Sequence, residues 1–129
     1  MTAPAYLDAS AIVKLVVVEL ESPVLLHWYV DLERIVTSRI GVIETRRAIR
    51  RRPHDEARLA AVIDQLEVFE VDYDIDQRAS AIGPTSLRTL DAIHVATALS
   101  IPGLGSFVTY DDRLADAARA VGLPVIRPA

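Results

Sequence analysis

The chain has 129 residues, of which 51% are hydrophobic and 25% charged, and its formal net charge is −4. These values are typical of one globular domain with a single core, and we expect residues 1–129 to form it. The absence of cysteine excludes disulfides, thiolate metal sites and a cysteine nucleophile. The negative net charge excludes a protein that coats nucleic acid through bulk positive charge, but it is compatible with an acidic metal site.

Neither a membrane span nor an export signal is evident in the sequence. No apolar run approaches the ~20 residues that a membrane-spanning helix requires. The opening residues MTAPAYLDAS lack the basic and apolar segments of a signal peptide. We therefore expect a cytoplasmic protein that makes no contact with a membrane.

Hydrophobic periodicity divides the first half of the chain into strands and helices. AYLDA reads as a short buried strand, and Ser10 is the expected N-cap of the helix after it. SPVLLHWYVDL has helical spacing, and Trp28 and Tyr29 are expected in the core or in an interface. RIVTS is a second strand. Helices are then predicted from about Gly41 to Arg52 and in the segment with Leu59 on its apolar face.

The second half continues the alternation. LEVFEVD is a strand, DIDQRASAI is a helix, and LRTLDAIHVATALS is a buried helix with Thr89 as its N-cap. SFVTY is a core strand, DRLADAARAVG is a helix that ends at Gly122, and LPVI is a last strand. This alternation predicts an α/β fold with three layers, α/β/α, around a central parallel sheet of four to five short strands. Sites in such folds form at the carboxyl ends of the strands.

Several acids are placed where such a sheet would form a site. Asp8 ends the first strand, and Asp111 and Asp112 directly follow SFVTY. Asp91 lies in the first turn of the buried helix, and Glu44 lies on the helix after RIVTS. An aspartate in an otherwise apolar strand is costly to bury without a partner, so Asp8 indicates a site most strongly.

Each of the other acids also has a structural explanation. Asp91 would interact favourably with its helix N-terminus through the helix dipole. One of Asp111 and Asp112 is expected to be an N-cap. Glu44 could pair with Arg47 or Arg51 on its own helix.

Four carboxylates that converge without matching lysines would repel one another, so the pKa of Asp8 should be raised in the absence of metal. A hard divalent cation relieves this repulsion, and oxygen ligands without any soft ligand suit Mg²⁺ or Mn²⁺. Such a site favours metal-dependent hydrolysis of a phosphodiester.

Four segments also carry a family resemblance: YLDASAIVKL, VIETRRAIRR, LRTLDAIHVATAL and FVTYDDRLADAARAVGLPV. Their order and residues resemble the four motifs of the PIN-domain ribonucleases, and most closely those of the VapC-type toxins of bacterial toxin–antitoxin pairs. The four segments span nearly the whole chain. The resemblance implies a PIN-like fold for the single domain.

The resemblance also implies the site residues and the partners. It gives a catalytic and metal-binding set of four acids: Asp8, Glu44, Asp91 and Asp111. Ser10 and Thr109 would orient these acids or a metal-bound water, and Asp112 leaves the fourth ligand open between itself and Asp111. The family further implies Mg²⁺ or Mn²⁺ as cofactor, endoribonuclease activity on RNA, a homodimer, and a cognate VapB-like antitoxin that blocks the site.

Arginines and a histidine near the predicted acids have both a functional and a structural interpretation. Most of the basic run after Glu44 is interpreted as a solvated helix face, with Arg47 and Arg88 as candidates for contact with RNA or antitoxin. His94 is interpreted as a packed residue with one hydrogen bond rather than as a general base.

Two other functions remain as alternatives. A phosphoacceptor receiver-like domain would need a lysine after a late strand, whereas the only lysine, Lys14, lies in the first helix. A non-catalytic PIN-like binding module would not need the four acids, so their retention favours the enzyme.

Overall fold

A parallel sheet runs through the middle of the fold in a computed structural model that describes residues 3–129. Its five strands are short: β1 (Ala5–Leu7), β2 (Ile35–Ser38), β3 (Glu67–Phe69), β4 (Ser106–Val108) and β5 (Val125–Ile126). They lie in the order β3-β2-β1-β4-β5, and each neighbouring pair is parallel. The prediction of a parallel sheet of four to five short strands is confirmed.

Helices connect the strands in the predicted order. Within the described residues they are α1 (Ala9–Val16), α2 (Ser22–Tyr29), α3 (Arg39–Ile49), α4 (Glu56–Asp64), α5 (Tyr73–Ala81), α6 (Thr89–Leu99) and α7 (Asp112–Ala120). α3 begins and ends earlier than the predicted span of Gly41 to Arg52. Gly122 follows α7 with φ +85°, as expected for a C-terminal glycine. No helix in residues 3–129 is long and apolar enough to cross a membrane.

The sheet separates two hydrophobic cores. On β1, Ala5 and Leu7 pack into one core with residues of α1 and α2, while Tyr6 between them packs into the other with residues of α6 and α7. This division follows from the alternation of side chains along a strand. All three β1 residues are 0% exposed, as expected for the central strand of a three-layer α/β/α fold. Trp28 and Tyr29 pack against the first core, which confirms their predicted place.

Two predicted helix starts are wrong. Asp8, rather than Ser10, is the N-cap of α1, because its backbone is extended and its Oδ1 accepts a hydrogen bond from the Ala11 amide. The Ser10 hydroxyl instead bonds across the fold. At α6 the N-cap is Arg88, without a side-chain capping bond, and Thr89 is already helical.

The strand order creates a crevice at β1. From this strand the chain first adds β2 and β3 on one side, and later adds β4 and β5 on the other. Connections that leave adjacent parallel strands in opposite directions open a crevice at their carboxyl ends. Asp8 follows β1 at this point, and Thr109 follows β4.

Candidate acidic active site

Asp8 is buried, with 4% of its surface exposed, and protein groups satisfy both of its carboxylate oxygens. Oδ1 accepts hydrogen bonds from Ser10 Oγ at 2.7 Å and from the Ala11 amide at 3.0 Å, and Oδ2 accepts one from Thr109 Oγ1 at 2.6 Å. Burial raises the pKa of Asp8, opposed by His94 and by these three hydrogen bonds. The predicted direction is therefore confirmed, but its main cause is burial rather than repulsion by other acids.

Ser10 and Thr109 tie the two strand-end segments together. Thr109 Oγ1, which donates to Asp8, also accepts a hydrogen bond from the Asp111 amide at 3.1 Å. Ser10 Oγ accepts one from the Tyr110 amide at 2.8 Å. These contacts suit the predicted role of both hydroxyls in orienting the acids.

Three of the four predicted acids line one cleft, beside the buried Asp8. This cleft, of ≈ 620 Å³, is lined by Glu44, Arg88, Thr89, Leu90, Asp91, Asp111, Asp112 and Arg113. Burial raises the pKa of Asp91, and the carboxylates of Asp111 and Glu44 raise it further, opposed by His94 and Arg88. The repulsion that was predicted at Asp8 is therefore found at Asp91.

The donor set fits a hard divalent cation in chemistry. No three acidic or histidine side chains within the described part of the chain are close enough together to hold an ion by themselves. Mg²⁺ commonly uses only one or two carboxylates and keeps several waters, so it does not need three protein ligands. The cleft offers carboxylate oxygens without any thiolate, which favours Mg²⁺ or Mn²⁺ over softer metals.

Asp111 and Asp112 have different roles. Asp111 caps α7, since its Oδ1 accepts hydrogen bonds from the amides of Arg113 at 2.9 Å and Leu114 at 3.2 Å. The expected N-cap is thus the same residue as the predicted fourth ligand. The Asp112 carboxylate is 89% exposed and pairs with Arg127 at 2.6 Å. Asp111, by contrast, contributes to the raised pKa of Asp91.

Glu44 is held by a histidine rather than by its own helix. His94 Nε2 lies 2.6 Å from Glu44 Oε1, and His94 Nδ1 lies 2.6 Å from the Tyr6 hydroxyl. His94 is buried as predicted, but it makes two side-chain hydrogen bonds instead of one. Neither Arg47 nor Arg51 forms an ion pair with Glu44 among residues 3–129, so the structural explanation for Glu44 is wrong.

The arginines divide between the cleft and the solvent. Arg88 lines the cleft, as does Arg113, which the sequence analysis missed although it lies in the first turn of α7 after two acids. Arg47 lines a neighbouring groove that also includes Glu44. Arg46 on α3 and Arg50 and Arg51 just after it are exposed, as predicted for most of the run. Arg52, the last arginine of the run, pairs with Glu19 at 2.8 Å.

Known proteins resemble the chain in sequence and in fold. Residues 5–120 match the PIN domain family. Ribonuclease VapC35 of Mycobacterium tuberculosis is 41% identical over 129 residues, which cover 95% of this chain and 96% of that protein. The crystal structure of M. tuberculosis VapC20, described as a Sarcin-Ricin loop cleaving toxin, superposes with a TM-score of 0.72 at 18% identity, covering 96% of this chain and 99% of that one.

A second solved structure extends the comparison. The toxin-antitoxin complex from Klebsiella pneumoniae contains a chain that superposes with a TM-score of 0.69 at 20% identity, covering 97% of this chain and 98% of that one. At such low identities the two superpositions support the fold alone, whereas the VapC35 match also supports the family. The chain therefore belongs to the PIN-domain family and, within it, to the VapC-type ribonuclease toxins.

Proposed function

We propose that this chain is a Mg²⁺- or Mn²⁺-dependent endoribonuclease, and that it acts as the toxin of a toxin–antitoxin pair. The observation that carries the proposal is that Glu44, Asp91 and Asp111 line one cleft, in which the carboxylates of Asp111 and Glu44 raise the pKa of Asp91. Carboxylates that raise the pKa of a neighbour are costly to keep ionised unless a cation joins them. Carboxyl groups with such raised pKa values are typical of active sites, where a bound cation takes part in catalysis.

The chemistry of the substrate leads to the same requirement. An RNA phosphodiester is an anion, and a cleft of carboxylates alone would repel it. The four acids Asp8, Glu44, Asp91 and Asp111 would hold the cation between them, directly or through water. When bound, a divalent cation polarises the phosphoryl oxygen and lowers the pKa of bound water.

The protein groups have separate tasks around that cation. Ser10 and Thr109 hold the Asp8 carboxylate in one orientation through hydrogen bonds of 2.7 and 2.6 Å. Arg88 and Arg113 line the same cleft as the acids and are placed to contact phosphates that flank the scissile bond. Arginine suits this task because its planar guanidinium can donate two parallel hydrogen bonds to a phosphate.

The groove beside the cleft is the proposed antitoxin site. It includes apolar side chains, Val13, Ile40, Ile43 and Leu90 among them, and it shares Glu44 and Leu90 with the cleft. An apolar segment bound there would cover the acidic site and block access to RNA. The similar chain of K. pneumoniae is described in a toxin-antitoxin complex, which supports a partner of this kind.

A homodimer and a cytoplasmic location, which the family resemblance and the sequence suggest, complete the proposal. Light scattering coupled to gel filtration would test the dimer directly. A mass of one chain at micromolar concentration would contradict it.

The receiver-like alternative is not favoured. Lys14, the only lysine, pairs with Glu19 at 3.2 Å and Glu21 at 2.7 Å, and it does not line the acidic cleft. A receiver-like domain needs a lysine that contacts its aspartyl phosphate. Treatment with a small phosphodonor should therefore leave the mass of the chain unchanged.

Mapping the cleavage sites on total RNA tests the proposed function. Purified wild-type protein with Mg²⁺ or Mn²⁺ should produce defined new RNA ends, and a chelator should suppress them. Asp8→Asn, prepared in the same way, controls for a contaminating nuclease and should produce none. Cleavage that survives both the chelator and the Asp8→Asn substitution would contradict the proposal.

A further inference from the structure

We propose that His94 is a positioning residue that fixes the Glu44 carboxylate at the acidic cleft, and that Tyr6 fixes His94 in turn. The inference rests on the proposed function, since it concerns a residue assigned there to the cation site. It adds two residues to the site, one of which was interpreted from sequence only as a packed histidine.

Hydrogen-bond chemistry determines which groups donate and which accept in the contacts that join Tyr6, His94 and Glu44. A carboxylate can only accept, so the 2.6 Å contact between His94 Nε2 and Glu44 Oε1 requires a proton on Nε2. Nδ1 is then free to accept the hydroxyl proton of Tyr6, which lies 2.6 Å away. A phenol with an ordinary pKa of about 10 keeps that proton at neutral pH. With His94 as a neutral imidazole, Tyr6 therefore donates to His94, and His94 donates to Glu44.

The two donors are held firmly. Tyr6 is 0% exposed and His94 is 2% exposed. The Tyr6 ring stacks on Phe107 with a centroid separation of 5.1 Å and an interplanar angle of 4°. It also meets the His94 ring edge-on at 5.8 Å and 82°. Neighbours on both rings leave little freedom to rotate, so the Nε2–H vector is fixed before any ligand binds.

Helix α3 is brought close enough for this contact by a glycine. A Cβ at Gly41 would lie 2.4 Å from Thr37 Oγ1 and 3.3 Å from His94 Cε1. Glu44 lies three residues further along the same helix. The absence of a side chain at Gly41 thus lets the helix backbone approach β2 and the histidine, and this approach places Glu44 within reach.

Glu44 needs such a restraint. Its side chain is 32% exposed, and its charge adds to the repulsion at Asp91. A flexible glutamate would relieve that repulsion by turning towards solvent. The hydrogen bond from His94 holds one carboxylate oxygen and keeps Glu44 beside the other acids.

The same geometry excludes His94 as a general base. Its Nε2 is occupied by Glu44, its Nδ1 by Tyr6, and its ring is buried. Neither nitrogen can take a proton from a nucleophile in the cleft. His94 therefore acts through Glu44 and does not touch the substrate.

Two matched substitutions test the proposal. His94→Gln can keep an N–H donor near the position of Nε2, whereas His94→Leu removes the donor and keeps a side chain of comparable bulk. Both are measured by Mn²⁺ calorimetry and by RNA cleavage, after circular dichroism has shown that they are folded. His94→Leu should weaken Mn²⁺ binding by about 10- to 100-fold, the range for loss of a group that orients a metal ligand. Its kcat should fall while its KM for RNA is unchanged, and His94→Gln should recover most of both losses.

A double-mutant cycle keeps the test valid if His94→Leu does not fold. Tyr6→Phe removes only the hydroxyl, and it should lower Mn²⁺ affinity in the same direction as His94→Leu. In Glu44→Gln the carboxylate is already gone, so adding Tyr6→Phe should cause no further loss. Equal losses in both backgrounds would overturn the proposal.

The outcomes separate this inference from the proposed function. Full Mn²⁺ affinity and cleavage in both Asp91→Asn and Glu44→Gln would overturn the proposed function. Loss in those two variants, with unchanged affinity in His94→Leu, would overturn only the role of His94. Nitrogen-15 spectra of the wild type should show the His94 proton on Nε2, and a proton on Nδ1 alone would contradict the proposed contacts.

Discussion

Thr109 and Asp8, 101 residues apart in sequence, meet at the crevice between β4 and β1, where Thr109 Oγ1 donates to Asp8 Oδ2 at 2.6 Å. The same hydroxyl accepts a hydrogen bond from the Asp111 amide. The Thr109 side chain therefore fixes both the buried Asp8 and the loop that carries the exposed Asp111. Thr109 is fully buried, so loss of its hydrogen bonds should lower the free energy of unfolding by a measurable amount. Changes at Thr109 should therefore affect stability and activity together.

Thr109→Val, which replaces the hydroxyl with a methyl group, should lower the free energy of unfolding by about 1–3 kcal/mol, since Asp8 and the Asp111 amide each lose a buried partner. Thr109→Ser keeps the hydroxyl and should cost about 0.8 kcal/mol for the lost methyl group. Urea denaturation gives both values. RNA cleavage should fall in the valine variant and persist in the serine variant. A valine variant with wild-type stability and cleavage would show that the hydroxyl is dispensable.

The contribution of Asp91 to the stability of the metal-free protein should decrease as the pH rises from acid. Burial and the carboxylates of Asp111 and Glu44 raise the pKa of Asp91 above the ordinary 3.8, so the folded state keeps this proton to a higher pH than the unfolded state. The resulting stabilisation is present below pH 3.8 and is lost as the pH rises through the raised value.

Urea denaturation in chelator across that pH range measures this effect. The difference in unfolding free energy between wild type and Asp91→Asn should shrink as the pH rises. At neutral pH, Mn²⁺ should make the wild type more stable than Asp91→Asn, because only a protein that binds the ion gains stability from it. If the difference in unfolding free energy between the two proteins were independent of pH, this would contradict the raised pKa of Asp91.

Asp111 and Asp112 should differ sharply when each is replaced by asparagine. Asparagine is also a good N-cap, so Asp111→Asn should fold normally. It should lower kcat by about 100-fold or more, since a metal site contributes several kcal/mol to the transition state. Asp112→Asn loses only an exposed ion pair with Arg127, worth about 0–1 kcal/mol, and should cut RNA at a nearly wild-type rate. The reverse order of activities would assign the fourth acid to Asp112.

Gly41→Ala should destabilise the protein even though alanine is the better helix former. The helix propensity gain is about 1 kcal/mol. The clash with Thr37 Oγ1, at 2.4 Å from the added Cβ, should exceed it, because overpacking costs about 1–3 kcal/mol and this hydroxyl is fixed by a bond to Leu7 O. Thermal unfolding measures the balance.

The matched control for this clash is a double substitution. Adding Thr37→Ala to Gly41→Ala should cost less than the sum of the two single changes, since it removes the clashing atom. Additive losses would show that Thr37 is not what prevents a larger residue at Gly41.

Local patterns in the sequence account for most of the fold. The strands are short apolar runs, and the helices have apolar residues at helical spacing, so their order and the parallel sheet could be predicted. The positions of Asp8 and Asp111 at strand ends then predict one shared crevice. The N-caps predicted at Ser10 and Thr89 were misplaced because both residue types are good N-caps, and only the folded backbone shows that the caps are Asp8 and Arg88.

The contacts that refine the site lie beyond local patterns. Tyr6 and His94 are 88 residues apart, and His94 and Glu44 are 50 residues apart. A tyrosine in an apolar strand and a histidine in an apolar helix each look like packing residues, and nothing in the spacing pairs them. The sequence also does not show which carboxylate the other acids repel. Burial is the main cause of the raised pKa of Asp8, whereas the carboxylates of Asp111 and Glu44 add to the raised pKa of Asp91.

The central claim is that the acidic cleft at the ends of β1 and β4 uses a divalent cation to cut RNA. The most direct measurement is the rate of cleavage of a mapped RNA target as Mn²⁺ is titrated into chelator-treated protein, for wild type and Asp91→Asn side by side. The wild-type rate should rise from baseline and saturate with Mn²⁺, while Asp91→Asn stays near baseline. Cleavage by the wild type that does not depend on Mn²⁺ or Mg²⁺, or equal titration curves for the two proteins, would contradict the account.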